Sequence, residues 1–361
     1  MKIAISAAET SGDLIAARLV KSLKSQNPEL IVQGLAGEKM TSSGCEQLWD
    51  QKLVNVMGFS EVLIKLSSIL RLRRDIINYF SYNKPRVFIG VDAPDFNFNI
   101  EKKLKNRGVK TVHFISPSIW AWRESRIKKI QKSTDLVICV FPFEIDFYNR
   151  HNQRAVFVGH PLAQVLSPRV QHAPSKVILL MPGSRESEIK SLLPEMISAV
   201  KIMSNKDKEL KFKLVLASED MSEPVKKQIK DLNIDVSVGD AHKWIIKSDL
   251  AIVASGTATL ELALVGVPMV VVYKLSALSY FVMSRLLKSP FVSLPNVIAN
   301  KFLVPELIQN DANGKNISKH AFNILSSDNK SLVEEFSNIH SQLKSNSIDD
   351  AARAIIDLAN D

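Results

Sequence analysis

Two short stretches hold residues whose types and spacing suit a ligand carrying a diphosphate. In the first, an apolar run from Leu250 to Ala254 meets Ser255-Gly256-Thr257. Small residues at such a junction let phosphate oxygens approach backbone N–H groups at the positive end of a helix. Glu261 stands four residues after Thr257, so both side chains can face one ligand. A carboxylate there can accept hydrogen bonds from ribose hydroxyls, as an acidic residue does in other nucleotide folds. A capping box places its acid three residues after the cap, so that device does not explain Glu261. In the second stretch, Val177–Met181 leads through Pro182 into Gly183-Ser184-Arg185 and a long helical pattern. Gly183 and Ser184 allow close approach, and Arg185 can clamp a diphosphate bidentately. Glu186 and Glu188 in the first turn complement the helix dipole and disfavour an anion unless Arg185 offsets them. The plain alternative for both stretches is a capped helix in an ordinary α/β domain.

A third group could supply proton transfer. Asp92 ends the apolar run Val87–Val91 and precedes Ala93-Pro94-Asp95. Pro94 biases Ala93 away from helical angles, which keeps Asp92 at the strand terminus, where a carboxylate can take a proton from an attacking hydroxyl. A turn-forming Asp explains the spacing equally well. Asp95 falls in the first turn of the next helix and has a simple dipole role. Near the N-terminus, Glu9, Ser11, Gly12 and Asp13 lie where the first strand meets its helix. Ser11 or Asp13 can cap that helix, whereas Glu9 precedes it and is available to a sugar hydroxyl.

Two further segments are amphiphilic. Trp120 and Trp122, followed by Arg123, Arg126, Lys128, Lys129 and Lys132, suit stacking on nucleic acid or insertion at a lipid headgroup boundary. Core packing accounts for at least one of the two tryptophans. The segment from Val62 to Arg74 carries Leu63, Leu66, Ile69 and Leu70 at helical spacing and ends in Arg71, Arg73 and Arg74. It reads as a membrane-interface helix, against the usual explanation of an amphipathic core helix. Residues 280–292 invite the same reading.

The elements that must position these groups follow from periodicity. Apolar runs of strand length alternate with helical patterns through both halves, which predicts parallel sheets covered by helices on both faces. At 361 residues the chain exceeds one typical core. We expect an α/β protein of two doubly wound, Rossmann-like domains, 1–165 and 166–345, with an inter-domain cleft, since ligands gather at the C-terminal strand edges. An amphipathic tail, 346–361, can cross to the first domain or to a partner chain, as in a homodimer.

Charge divides along the chain. Residues 1–165 hold 24 Lys and Arg against 15 Asp and Glu, and residues 166–361 hold 23 against 22. The basic half suits an anionic surface or substrate. Two cysteines give no disulfide framework, and no apolar run approaches the length of a membrane span. A reducing cytoplasm is the expected compartment, because the N-terminus turns polar too soon for a signal peptide. There is no Gly-x-Gly-x-x-Gly, no P-loop, no His-Glu-x-x-His, no Cys-x-x-Cys and no Asp-x-Asp. Those absences disfavour dinucleotide redox chemistry, NTP hydrolysis, a zinc site and a cation held against a sugar diphosphate. No cofactor and no metal are therefore expected.

The motifs taken in order resemble the lipid-A-disaccharide synthase family. They are Glu9-x-Ser11-Gly12-Asp13, Met57-Gly58, Val91-Asp92-Ala93-Pro94-Asp95-Phe96-Asn97, Ser116 through Arg123, Phe141-Pro142-Phe143-Glu144, Gly159-His160, Pro182 through Arg185, Ser255 through Glu261, and Ser293-Leu294-Pro295-Asn296. The resemblance spans nearly the whole chain. It implies an inverting glycosyltransferase of the GT-B arrangement, with UDP-2,3-diacylglucosamine as donor and the 6-hydroxyl of 2,3-diacylglucosamine 1-phosphate as acceptor. Products would be the β-1,6 lipid A disaccharide 1-phosphate and UDP. By the same resemblance Asp92 is the base, and Arg185, Glu261 and Asn296 hold UDP. The loop from Val238 to Ala241 meets uracil, and Glu9 and Ser11 line the acceptor side. The family acts as a peripheral membrane protein on the cytoplasmic face of the inner membrane, which matches the basic half. Two departures are Ala8 and Asn300, where the family has glycine. Asn tolerates positive φ, and Ala8 matters only if its backbone must be glycine-like. The rival readings are a UDP-sugar 2-epimerase of the same two-domain plan and a non-catalytic protein that binds RNA or lipid through the basic half.

Overall fold

The computed structural model describes residues 1–54, 59–119, 124–170, 174–276, 280, 289–344 and 348–361, the side chains of 10, 11 and 59–66 excepted. The chain divides into two compact units, Met1–Pro161 with Leu343–Asp361, and Leu162–Gln342.

The first unit is built on seven strands: β1 Lys2–Ala7, β2 Ile31–Ala36, β3 Glu46–Asp50, β4 Val87–Val91, β5 Lys110–Phe114, β6 Leu136–Cys139 and β7 Ala155–Phe157. They lie in the order β3-β2-β1-β4-β5-β6-β7, and every pair is parallel. β1 and β4 are apolar along most of their length and buried on both faces, as the centre of a helix-covered parallel sheet requires. β3 is polar and more exposed, which suits an edge.

The second unit repeats the plan with β8 Val177–Met181, β9 Lys211–Leu216, β10 Ile234–Val238, β11 Leu250–Ala254, β12 Met269–Tyr273 and β13 Glu306–Ile308. Its order is β10-β9-β8-β11-β12-β13, again with every pair parallel. In both sheets the strand order reverses beside the first strand of the unit, between β1 and β4 and between β8 and β11. Such reversals leave a crevice at the carboxyl ends of the two strands, where ligands of open α/β sheets bind.

The last helix, Ile348–Asn360, packs on the chain's own first unit. Ala351, Ala352, Ile355 and Leu358 join the core formed by β1, β4 and the helix Thr10–Gln26. Ser22 and Gln26 hydrogen-bond to the Asp349 carboxylate and carbonyl, fixing the helix end. In the second unit the helix Glu186–Lys206 lies against the helix Gly314–Leu325. A Cβ on Gly314 would stand 2.3 Å from the Ser198 hydroxyl, so glycine permits this close crossing.

Candidate active site

In the first unit, Glu9 follows β1 and Asp92 follows β4, so the two flank the strand-order reversal. Their carboxylates interact: partial burial and then the Asp92 charge hold the Glu9 carboxyl above its ordinary range. Glu9 occupies the position before the helix Thr10–Gln26 but makes no capping bond with its side chain. Asp13 does not cap that helix either. It is buried, and its carboxylate accepts the N–H groups of Gly37, Lys39 and Met40 at 2.9, 3.0 and 3.2 Å, pinning the loop after β2. A Cβ on Gly12 would meet the Val91 carbonyl at an ordinary 3.7 Å, so space within the unit does not demand glycine there. Ala8 is buried and not at positive φ, so it occupies no glycine-only conformation.

Asp92 sits in a strained corner. Its φ is 50°, and Ala93 follows at φ 42°, ψ 58°, before the helix Pro94–Lys105 begins. Ala93 lies outside the right-handed helical region, in keeping with the bias from Pro94, and is left-handed. Left-handed geometry costs about 1–2 kcal/mol per non-glycine residue, so neighbours must hold it. The Asp92 N–H donates to the Phe114 carbonyl at 2.9 Å, and the Ala93 carbonyl accepts the N–H groups of Phe96 and Asn97 at 2.9 and 3.0 Å. The Asn97 amide donates to the Asp92 carbonyl at 2.9 Å. Among the described residues nothing hydrogen-bonds the Asp92 carboxylate, which is therefore available for chemistry.

In the second unit, Gly183, Ser184, Arg185, Ser255, Gly256, Thr257 and Glu261 line one cavity of about 420 Å³. β8 delivers the first three and β11 the next three, so this cavity lies at the second strand-order reversal. Gly239 and Ala241, from the loop after β10, line it as well. Burial holds the Glu261 carboxyl above its usual range, opposed in part by His242.

The two helix ends at this cavity are not equivalent. At the end beginning at Glu186, the Glu188 carboxylate already accepts the N–H groups of Ser184 and Arg185, at 3.2 and 3.4 Å. It also accepts Arg185 Nη1 at 2.9 Å. The helix Thr257–Val265 has no acid in its first turn, and a Cβ on Gly256 would meet nothing within 4 Å. That second end is the better anion seat. Ser255 contributes backbone there, because its hydroxyl donates to the Val292 carbonyl at 2.6 Å.

Asn296 is not among the residues that line this cavity. It is fully buried, donates to the Val304 carbonyl and Glu306 at 2.9 and 2.8 Å, and accepts the N–H groups of Leu303 and Val304 at 2.8 and 3.0 Å. Four bonds saturate a carboxamide, so Asn296 is a framework residue. Asn300 closes its short helix at φ 50°, a conformation Asn adopts readily. One residue the sequence did not single out is Tyr273 at the end of β12. Burial and Glu188 raise its phenol, Arg185 lowers it, and it lines a neighbouring cavity of about 570 Å³ with Arg185 and Glu188.

In the described part of the expected membrane helix, one face is buried and the other is exposed. Within Phe59–Asn83, Leu72, Ile76, Ile77 and Phe80 are buried, and Ile69 packs against their cluster rather than facing out. Arg73 is turned inward too: its guanidinium donates to the Asp95 carbonyl at 3.2 Å and lies over the Phe96 ring. Leu70, Arg71 and Arg74 remain exposed. The side chains of Leu63, Leu66 and Ser11, together with Met57, Gly58, Trp120, Trp122 and Arg123, lie outside the described residues, as do 281–288. Phe291, from the other suspected segment, is buried against Phe302.

Two doubly wound units of this topology, with chemistry-bearing groups at both strand-order reversals, make up the GT-B fold class. Solved structures of that class match the whole chain: a transferase from Siraitia grosvenorii in complex with UDP at TM-score 0.64 and 12% identity, covering 100% of both chains, and the kitacinnamycin glycotransferase at 0.64 and 14%, covering 99% of this chain and 98% of that one. A UDP-GlcNAc 2-epimerase from Neisseria meningitidis also matches, at 0.61 and 12% identity over 99% of each chain. Identities this low establish fold alone. Sequence decides between the chemistries. The family model described as lipid-A-disaccharide synthetase matches residues 3–357. A lipid-A-disaccharide synthase from Alteromonas mediterranea is 38% identical over 99% of this chain and 98% of its own. Another, from Colwellia psychrerythraea, is 40% identical over 97% and 93%. The chain belongs to the lipid-A-disaccharide synthase family, and is a glycosyltransferase of lipid A biosynthesis; the epimerase and the non-catalytic readings are set aside.

Proposed function

We propose that this enzyme transfers 2,3-diacylglucosamine from UDP to the 6-hydroxyl of 2,3-diacylglucosamine 1-phosphate, with inversion. The carrying observation is the strained β4 corner, where no described residue hydrogen-bonds the Asp92 carboxylate. Asp92 takes the proton from the acceptor hydroxyl as its oxygen attacks C1 of the donor sugar, and the bond from C1 to the UDP oxygen breaks. The departing diphosphate rests on the N–H groups that open the helix Thr257–Val265 and on the Arg185 guanidinium. Glu261 accepts the ribose hydroxyls, and the loop carrying Gly239 and Ala241 meets the base. Glu9 binds on the acceptor side.

No helix among the described residues is long and apolar enough to cross a membrane. The exposed stripe of Leu70, Arg71 and Arg74 supports a peripheral seat on an anionic bilayer, at the cytoplasmic face of the inner membrane. Mass spectrometry of the products formed from the two acylated sugars in detergent micelles, with and without EDTA, tests the reaction. The disaccharide 1-phosphate and equimolar UDP are expected. UDP-sugar consumption without a disaccharide would reject the reading.

A further inference from the structure

We propose that Asn97 is a positioning residue for Asp92: its buried carboxamide holds the corner after β4 in the left-handed form that presents the carboxylate. The inference rests on Asp92 as the base. Two successive non-glycine residues at φ 50° and 42° are rare, and Pro94 adds a steric bias against helical angles at Ala93. A corner of this kind persists only where its surroundings over-determine it.

Asn97 supplies that constraint from one fully buried side chain. Its Nδ2 donates to the Asp92 carbonyl at 2.9 Å and the Val91 carbonyl at 3.2 Å, with the Ser6 carbonyl at 3.4 Å. Its Oδ1 accepts the Ser6 hydroxyl at 2.8 Å, which orients the amide. Three carbonyls surround Nδ2, so only a donor fits there. The strand below is shaped to let Asn97 in: a Cβ on Gly90 would stand 2.8 Å from the Asn97 Cβ and 2.1 Å from Glu101 Oε1. One turn further along the same helix, buried Glu101 bonds His113 and Thr134, both at 2.7 Å, anchoring the helix on β5 and the loop before β6. Asn97 thus joins a fixed helix to the one strained turn that carries the base.

Asn97→Asp is the direct test, since it keeps the acceptor for Ser6 and replaces the donor facing three carbonyls. We expect kcat to fall by about 10²-fold, the cost of an ångström-scale misplacement, with UDP affinity and donor KM within twofold of wild type. In an Asp92→Asn background the same change should alter the residual rate by less than threefold, because a residue acting through Asp92 has nothing left to position. Ser6→Ala, which removes only the hydroxyl that orients the amide, should lower kcat three- to tenfold and serves if Asn97→Asp does not fold. Wild-type kcat in both variants, or losses that multiply fully with Asp92→Asn, would overturn the proposal. An active Asp92→Asn enzyme would instead overturn the base assignment itself.

Discussion

Glu188 holds Arg185 at two points, accepting its guanidinium at 2.9 Å and its backbone N–H at 3.4 Å. The residue expected to clamp a diphosphate is thus engaged by an acid of its own helix, and the pair lines the cavity the diphosphate would enter. Glu188→Gln removes a negative charge from that cavity and keeps an acceptor for the Ser184 N–H. UDP should bind about five- to tenfold more tightly by calorimetry at low salt, an effect of about 1–1.4 kcal/mol. Unchanged or weaker UDP binding would place the diphosphate away from Arg185.

Gly90 faces the Glu101 carboxylate across the β4 surface. Gly90→Ala puts a methyl carbon 2.1 Å from Glu101 Oε1, so a fully buried acid must move off His113. Leaving a buried polar group without its hydrogen bond costs about 1–3 kcal/mol. Urea denaturation should show the first unit's transition moving to lower denaturant, and a midpoint within error of wild type would refute the packing described.

Glu9 has its carboxyl raised by partial burial and by Asp92. A raised folded-state value means that the favourable contribution is complete below the unfolded value, near 4.5, and is lost as pH rises through the folded one. Glu9→Gln should therefore match wild type at pH 4 and be slightly more stable at pH 7–8. The gain should not exceed about 2 °C in Tm, because the side chain is largely in water. Equal Tm differences at both pH values would show that the two acids do not interact.

Three strands that carry the site were legible as short apolar runs: Val87–Val91, Val177–Met181 and Leu250–Ala254 appear as read. β2, β3 and β13 were missed. Gln33 and Gly34 interrupt the first, the second is a polar edge, and the third has only three residues. The left-handed corner at Asp92 could not be read, since Pro94 only biases Ala93 away from helical angles and the bonds from Ser6 through Asn97 span 91 positions. The resemblance places Asn296 with UDP, yet its buried carboxamide is bonded to Glu306 ten positions on. Arg73 belongs to a cationic run by composition, and only the packing of Phe96 and the Asp95 carbonyl turns it inward.

Asn296→Ala tests the framework role of Asn296. It takes from the buried Val304 N–H and carbonyl their side-chain partner, each loss costing about 1–3 kcal/mol, while Glu306 stays held by Val292 and Ser293 and the Leu303 N–H by the Lys301 carbonyl. A Tm lower by several degrees, with UDP affinity in the folded fraction near wild type, is expected. Full stability with lost UDP binding would return Asn296 to the ligand set.

The central claim is that Asp92 activates the acceptor while the second unit alone captures UDP. Its most direct measurement pairs product mass spectrometry with UDP calorimetry on Asp92→Asn. Disaccharide formation should fall by at least about 10²-fold while UDP binds as in wild type. Wild-type turnover, or UDP binding lost together with turnover, would contradict it.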